Sequence, residues 1–291
     1  MTKRRAFTLI ELLVAVTIFI LLMGILATFA SSLGATWQRG IAHGERRAVA
    51  LNVFSRMTRD LQQAALPTDL SGKSLQFVIN PASLSTNYLL PQAAFWRAAT
   101  ATDRSMGDLA AVGYFVQWVN DPDTGVNTPK LCRFFANPSA SSYQNYTPTN
   151  SWIDGTLLST NAPATKASAY AGQLAENVLG LWIQPIDQNG NNISSNGASA
   201  PGQFDANLGY SATNGSVTNV YPRALPAAVR VAIITVDSRT AKRLTGSERP
   251  QSRSTNGFWV DVYSFYASLP DNIRRGAEIQ GTIINLPAAP R

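Results

Sequence analysis

The sequence predicts an α+β protein, with one long N-terminal helix that crosses a membrane in its first half and packs on antiparallel β-sheets in its second. Three observations predict it. An apolar run covers residues 7–30 and holds a single charge, Glu11. An apolar stripe of helical period then continues, without a strong breaker, as far as Pro67. Beyond Pro67, short runs rich in Val, Ile, Phe, Tyr and Trp are bounded by Gly, Pro, Asn and Asp, the pattern of sheet strands and their turns.

The apolar run decides the class of protein. Residues 7–29 as a helix span ~35 Å at ~1.5 Å per residue, enough to cross a hydrocarbon core of ~30 Å. The run is too long for the apolar part of an ordinary secretory signal, and no small-x-small cleavage pattern stands at its far end. Lys3, Arg4 and Arg5 precede it. Positive charge stays on the cytoplasmic side, so the bulk of the chain is expected on the other. Glu11 is the informative residue, because a carboxylate inside a membrane helix costs ~2.5–3.5 kcal/mol on insertion scales. If the chain is cut after Ala6, a new amino group appears on Phe7, one helical turn from Glu11. That amine can neutralise the carboxylate in the same chain or in a neighbour.

Past residue 30 the chain turns polar but keeps a helical stripe: Ala50, Phe54, Met57, Leu61 and Ala64 recur at spacings of three and four. Phe54, Met57 and Leu61 are expected to join the helix to the rest of the protein. Arg46, Arg47, Arg56, Arg59 and Asp60 are placed mostly on the other faces. Pro67 ends the pattern. One helix over residues 7–66 is expected, with Gly24, Gly34, Gly40 and Gly44 as candidate weak points and His43 as an exposed helix residue rather than a ligand.

Six strands are expected downstream, at residues 75–79, 112–119, 131–135, 178–185, 228–236 and 258–266, with a turn at 120–125. Residues 137–171 and 187–222 are dominated by Ser, Asn, Thr, Gly, Ala and Tyr and read as long loops. The expected organisation is a leader at 1–6, a transmembrane and assembly helix at 7–30, its continuation at 31–66, a β-rich domain at 67–270, and a C-terminal extension at 271–291.

Composition removes other classes. Residues 1–66 hold 8 Lys and Arg against 3 Asp and Glu, a charge of +5; the remainder holds 16 against 14, only +2. A nearly neutral main domain lacks the clustered positive charge of a nucleic-acid surface. With one cysteine, Cys132, and one histidine, His43, the sequence offers neither an internal disulfide nor a Cys/His zinc site. Cys132 reads as a small apolar strand residue. Asp121-x-Asp123-x-Gly125 and Asp187-x-Asn189-Gly190-Asn191 lack the full oxygen spacing and closing Glu of a calcium loop and read as β-turns. No phosphate loop or Gly-x-Ser-x-Gly motif occurs. No catalytic residue, metal or cofactor is expected, and so no enzyme. Asp237 and Ser238 are expected to cap a short helix through Leu244 that ends at Gly246. Around it, Arg239, Lys242, Arg243, Arg249 and Arg253 form a local basic cluster opposed by Glu248.

The run Ala6-Phe7-Thr8-Leu9-Ile10-Glu11-Leu12-Leu13-Val14-Ala15-Val16 resembles the prepilin processing motif. The resemblance implies cleavage between Ala6 and Phe7 by a prepilin peptidase, N-methylation of Phe7, and use of Glu11 in subunit packing. Ala6 stands where that motif usually has Gly. Further landmarks follow in the order of the minor pseudopilin J family of type II secretion systems. They are Phe54-Ser55-Arg56-Met57-Thr58-Arg59-Asp60-Leu61-Gln62-Gln63, the strand at 112–116, Leu131-Cys132-Arg133, Leu174-Ala175-Glu176-Asn177-Val178 leading to 181–186, and Leu225-Pro226-Ala227-Ala228-Val229. This similarity implies a pilin-like fold in the bacterial inner membrane with a periplasmic domain, and a place at the tip of a short pseudopilus. The partners implied are other minor and major pseudopilins, the prepilin peptidase and methyltransferase, the inner-membrane assembly platform and the lipid bilayer; nucleic acid is not expected. The enlarged polar loops and the C-terminal extension depart from the family. The alternative reading is a minor type IV pilin for DNA uptake or surface adhesion.

Overall fold

A computed structural model of the chain describes residues 8–65, 77–81, 84, 91–120, 125–140, 171–196, 202–214, 216–250 and 257–287. Helix α1 (Leu9–Leu61) comes first. The strands are β1 (Phe77–Ile79), β2 (Ala94–Ala98), β3 (Ala110–Asn120), β4 (Asn127–Ala136), β5 (Ala171–Glu176) and β6 (Val178–Ile186). They continue with β7 (Phe204–Asp205), β8 (Tyr210–Asn214), β9 (Val217–Tyr221), β10 (Ala228–Val236) and β11 (Ala277–Asn285). Three helices lie between the last two strands: α2 (Ser238–Ala241), α3 (Phe258–Ser268) and α4 (Asp271–Arg274). The fold is therefore α+β, a long apolar N-terminal helix followed by antiparallel sheets. The chain divides into two compact units, Met1–Glu45 and Arg46–Arg291.

In the second unit, six strands form one sheet in the order β5-β4-β3-β2-β1-β7, three form another in the order β11-β10-β6, and β8 and β9 pair as a separate ribbon. The strand pairs are antiparallel throughout. The larger sheet buries both faces. Phe77, Trp96, Val112, Tyr114, Val116 and Leu131 join the main core cluster, while Phe95, Phe115, Cys132, Phe134 and Ala136 form a second cluster on the opposite side. Strands covered on both sides read as near-continuous apolar runs, which is why β3 is so visible in the sequence. Gly113 is needed there. It stands directly across from Phe95, and a Cβ on it would come within 2.3 Å of the Phe95 ring.

The end of α1 enters the main cluster through Ala50, Val53, Met57, Leu61 and Ala64, all buried, with Phe54 half-buried against them. The stripe centres on Val53, not on Phe54. Two charged residues expected on the outer faces also turn inward. Asp60 is only 2% exposed. It follows Met57 by three residues and Val53 by seven, so it shares their face. Its carboxylate accepts hydrogen bonds from the Tyr114 hydroxyl at 2.6 Å and from Arg133 Nε at 2.6 Å and Nη2 at 3.2 Å. Arg56 Nε stands 3.7 Å away, and the Trp96 indole donates to the Asp60 carbonyl at 3.2 Å. Trp96 and Tyr114 stack with ring centroids 5.6 Å apart. One carboxylate thus ties the helix to β2, β3 and β4. Arg46 makes a second tie, from Nε to Glu278 at 3.0 Å and from Nη1 to Asp237 at 3.3 Å.

Three expectations are corrected. The helix ends at Leu61, before residue 66, because the following backbone joins the end of β2: Ala65 N–H donates to Arg97 at 2.8 Å and Ala99 N–H to Gln63 at 2.9 Å. Residues 258–266 are not a strand but most of α3. Their aromatic content suggests β, but Phe258, Val262, Phe265 and Tyr266, at helical spacing, face the core. Residues 271–291 are not an extension beyond the last strand. They contain β11, which pairs with β10 along its whole length from Ala228↔Asn285 to Val236↔Ala277. Of the two long polar stretches, 187–222 contains β7, β8 and β9, while residues 141–170 lie outside the described residues.

Asp60→Ala removes the acceptor of the buried Tyr114 hydroxyl and of the half-buried Arg133 and is expected to cost ~3 kcal/mol, measured as a lowered guanidinium midpoint of the protein in detergent micelles. Burial, and then the Asp60 charge, raise the Tyr114 hydroxyl above the usual phenol range. A raised folded value means stability is intact below the unfolded phenol value of ~10 and falls as pH climbs above it. Tyr210, pushed up to about 12 by burial and then by Tyr221 and Asp187, adds a loss of the same sign. Tyr114→Phe is therefore expected to show a shallower loss of unfolding midpoint above pH ~10 than the parent protein.

Candidate assembly site on the N-terminal helix

The first turn of α1 is closed by its own side chains. Thr8 N–H donates to Glu11 Oε2 at 3.0 Å, the Thr8 hydroxyl donates to the same oxygen at 2.9 Å, and Glu11 N–H donates to Thr8 Oγ1 at 3.4 Å. This is a reciprocal capping box, Thr-x-x-Glu, which satisfies backbone donors that the first turn leaves free. It also puts the one acid of the apolar run at the positive end of the helix. Glu11 thus has a partner within its own chain before any amine is supplied. Sequence reasoning missed Thr8, although Thr three residues before Glu at the head of an apolar run is the capping signature. Ala6 and Phe7, the two residues of the expected cleavage, lie outside the described residues.

Behind this cap the helix is apolar and uncovered. Leu9 is 82% exposed, and Leu13, Phe19, Leu22, Leu26, Phe29 and Trp37 are all exposed. None of its most apolar stretch is buried, and the helix is long and apolar enough to cross a membrane. The core helix of a soluble protein would pass the same length test with its apolar side chains covered. Its hydroxyls are suited to an apolar solvent too. Thr17, Thr28, Ser31 and Thr36 each donate to a carbonyl three or four residues back, at 2.8–3.2 Å. Side chains bonded in this way carry no free donor into lipid. Gly24, Gly34, Gly40 and Gly44 are not breaks: α1 runs unbroken through all four, with open space where a side chain would stand.

The remaining candidates for chemistry do not assemble. His43 is exposed on α1. Among the described residues no group of three His, Cys, Asp or Glu could hold a metal ion. In the loop at 187–191, Asp187 Oδ1 accepts the N–H groups of Asn189 and Asn191, each at 2.8 Å, so its oxygens close a turn. Asp121 and Asp123 lie outside the described residues. Asp237 caps α2 by accepting from Thr240 N–H at 2.8 Å, but that helix stops at Ala241 rather than Leu244. Arg239, Lys242 and Arg243 are exposed around it, Arg249 is half-buried, and Arg253 lies outside the described residues. Cys132 is buried in β4, and burial pushes its thiol up to about 12. Since the thiolate is the reactive form, Cys132 is expected not to react with a disulfide reagent at pH ~8 in the folded protein and to react fully in guanidinium, read as released thiolate.

A family model of the prokaryotic N-terminal methylation motif matches residues 1–27. No curated protein matched the chain. The matched stretch covers the basic residues Lys3, Arg4 and Arg5, the expected cleavage position, the capping box and most of the apolar run. The motif implies processing by prepilin peptidase and assembly with other pilins, and the single apolar helix is compatible with membrane anchoring. With this motif at the head of a long, uncovered apolar helix, and antiparallel sheets behind it, the chain is type IV pilin-like.

Proposed function

We propose that the protein is a structural minor pseudopilin. In this reading it is cut between Ala6 and Phe7, methylated on Phe7, and assembled into the tip complex of a short periplasmic pseudopilus of a type II secretion-like system. The observation that carries the reading is the apolar half of α1. Among the described residues none of its most apolar stretch is buried, and its first turn holds an acid, Glu11, inside a methylation motif. An apolar surface of this extent requires lipid before assembly and neighbouring helices after it. Release of the leader places a new amine within reach of Glu11, so a carboxylate held by Thr8 in the precursor gains a charged partner in the filament. Residues 7–30 then form the membrane and packing segment, and residues 31–61 carry the helix to the domain, where Phe54, Met57 and Leu61 dock it. Its partners are other pseudopilins, the leader peptidase and methyltransferase, and an inner-membrane assembly platform.

A second reading, a minor pilin that takes up DNA, draws on the exposed Arg239, Lys242 and Arg243 beside α2. It requires salt-dependent DNA binding that disappears when the three are neutralised.

Glu11→Val tests the first reading. Its membrane insertion is expected to match the parent's, since the change removes a costly carboxylate from the apolar segment. Incorporation into sheared filaments is expected to fall more than ~100-fold, as for a buried charge left without its partner. Filaments containing the variant at the parent's level would overturn the reading.

A further inference from the structure

We infer that α1 leaves the outer surface of the bilayer obliquely, with the face that carries Leu33, Trp37 and Ile41 lying against lipid and the indole of Trp37 in the headgroup layer. The inference rests on the membrane-anchor part of the proposed function. It adds a lipid contact beyond residue 30, the end of the apolar run. Length, charge and the arrangement of faces on the helix point the same way.

The stretch without charge is longer than the apolar run. Between Glu11 and Arg39 no Asp, Glu, Lys or Arg occurs, and α1 runs through it unbroken. As a helix this stretch rises ~40 Å, more than a hydrocarbon core of ~30 Å. From Leu9 to Trp37 the rise is ~42 Å, the full thickness of a bilayer of ~40–45 Å with its headgroups. Trp37 thus falls at the height where tryptophan is favoured, with its ring toward the acyl chains and its N–H toward the headgroups. It is 74% exposed, so its own chain does not bury the ring. The hydroxyls on the way do not bar lipid. Ser31 donates to the Thr28 carbonyl at 2.8 Å and Thr36 to the Ser32 carbonyl at 3.0 Å.

The faces give the direction. Leu33, Trp37 and Ile41 recur every four residues and form one ridge, with Leu33 54% and Ile41 58% exposed. Thr28, Ser31, Ser32, Arg39 and His43 also share a face by helical spacing, on the far side from that ridge. Arg39 and His43 are exposed there. The border between apolar and polar surface is therefore oblique. Ile41 is still apolar on one side, while Arg39, two residues earlier, is charged on the other. A span longer than the core is taken up by tilting, and interfacial anchors set the direction. Lowering the ridge toward the membrane puts Leu33, Trp37 and Ile41 on lipid and lifts Arg39 and His43 into water. Lipid is the occupant that fits, because the ridge continues the apolar surface of the crossing segment at the height of the headgroups.

The test places a nitroxide on Ile41→Cys, Arg39→Cys or Ile20→Cys of the full chain, in vesicles of phosphatidylethanolamine and phosphatidylglycerol. Collisions are read with oxygen, which enriches in lipid, and with a water-soluble nickel chelate. The buried Cys132 is expected to stay unlabelled. On an upright helix Ile41, farther along the chain, would meet more chelate than Arg39. The oblique exit reverses that order, with a chelate-to-oxygen ratio at Ile41 about five-fold below that at Arg39. Adding Trp37→Ala is expected to erase the difference. A ratio at Ile41 equal to or above that at Arg39, an Ile41 label shielded from both reagents by a neighbouring helix, or an unchanged difference with Trp37→Ala would overturn the inference. The Ile20 label separates the tilt from the anchor. A high ratio at Ile20 means that the segment does not enter lipid and overturns both, whereas a low ratio at Ile20 with the upright order at residues 39 and 41 overturns the tilt alone.

Discussion

A single helix of 53 residues has to work in two solvents, and the rest of the molecule follows from that demand. Its first half offers apolar side chains all round, and among the described residues none of its most apolar stretch is buried. Backbone groups in lipid must be satisfied internally, and a helix does so by construction. What remains are the polar features that a helix cannot absorb on its own, namely the free donors of its first turn, its hydroxyls and its acid. The Thr8–Glu11 box settles the first turn and the acid together, and the hydroxyls of Thr17, Thr28, Ser31 and Thr36 bond back to carbonyls of their own helix. The segment is thereby ready for an apolar environment before any partner arrives.

The other half of the helix faces the opposite problem, because it must be held by a β-rich body. Apolar contact through Val53, Met57 and Leu61 supplies most of the buried area, but such contact is not directional. Direction comes from charge. Asp60 accepts from Tyr114 and Arg133 on adjacent strands, and Arg46 reaches Asp237 and Glu278 beside the smaller sheet. Buried ion pairs are weak evidence for stability but strong determinants of register when every oxygen is used. Here they set where along the helix the two sheets attach. The Tyr114 ring then stacks on Trp96, whose indole returns to the same helix residue, so the network closes on itself.

Much of this was legible in the sequence, for physical reasons. The apolar run and its lone acid stand out because lipid tolerates so little else. β10 was located at its observed bounds, and β3 and β6 nearly so, because strands buried on both faces are continuous runs of Val, Ile and aromatic residues. The errors have physical causes too. α3 resembles a strand in composition, and only the spacing of Phe258, Val262 and Tyr266 identifies it. β11 is an edge with mixed polarity, so its periodicity is weak and pairing with β10 decides it. Asp60 and Arg46 were placed outside because charge alone argues for solvent. Their positions on the stripe carried the contrary signal, but their partners, far along the chain, could not be read.

The central claim is that the chain reaches its working form through removal of the leader, which frees an amine next to Glu11. Mass spectrometry of the N-terminal peptide, from protein recovered from membranes of cells with an active leader peptidase, tests it most directly. The account predicts a peptide beginning at N-methylated Phe7. A peptide still beginning at Met1 would contradict it.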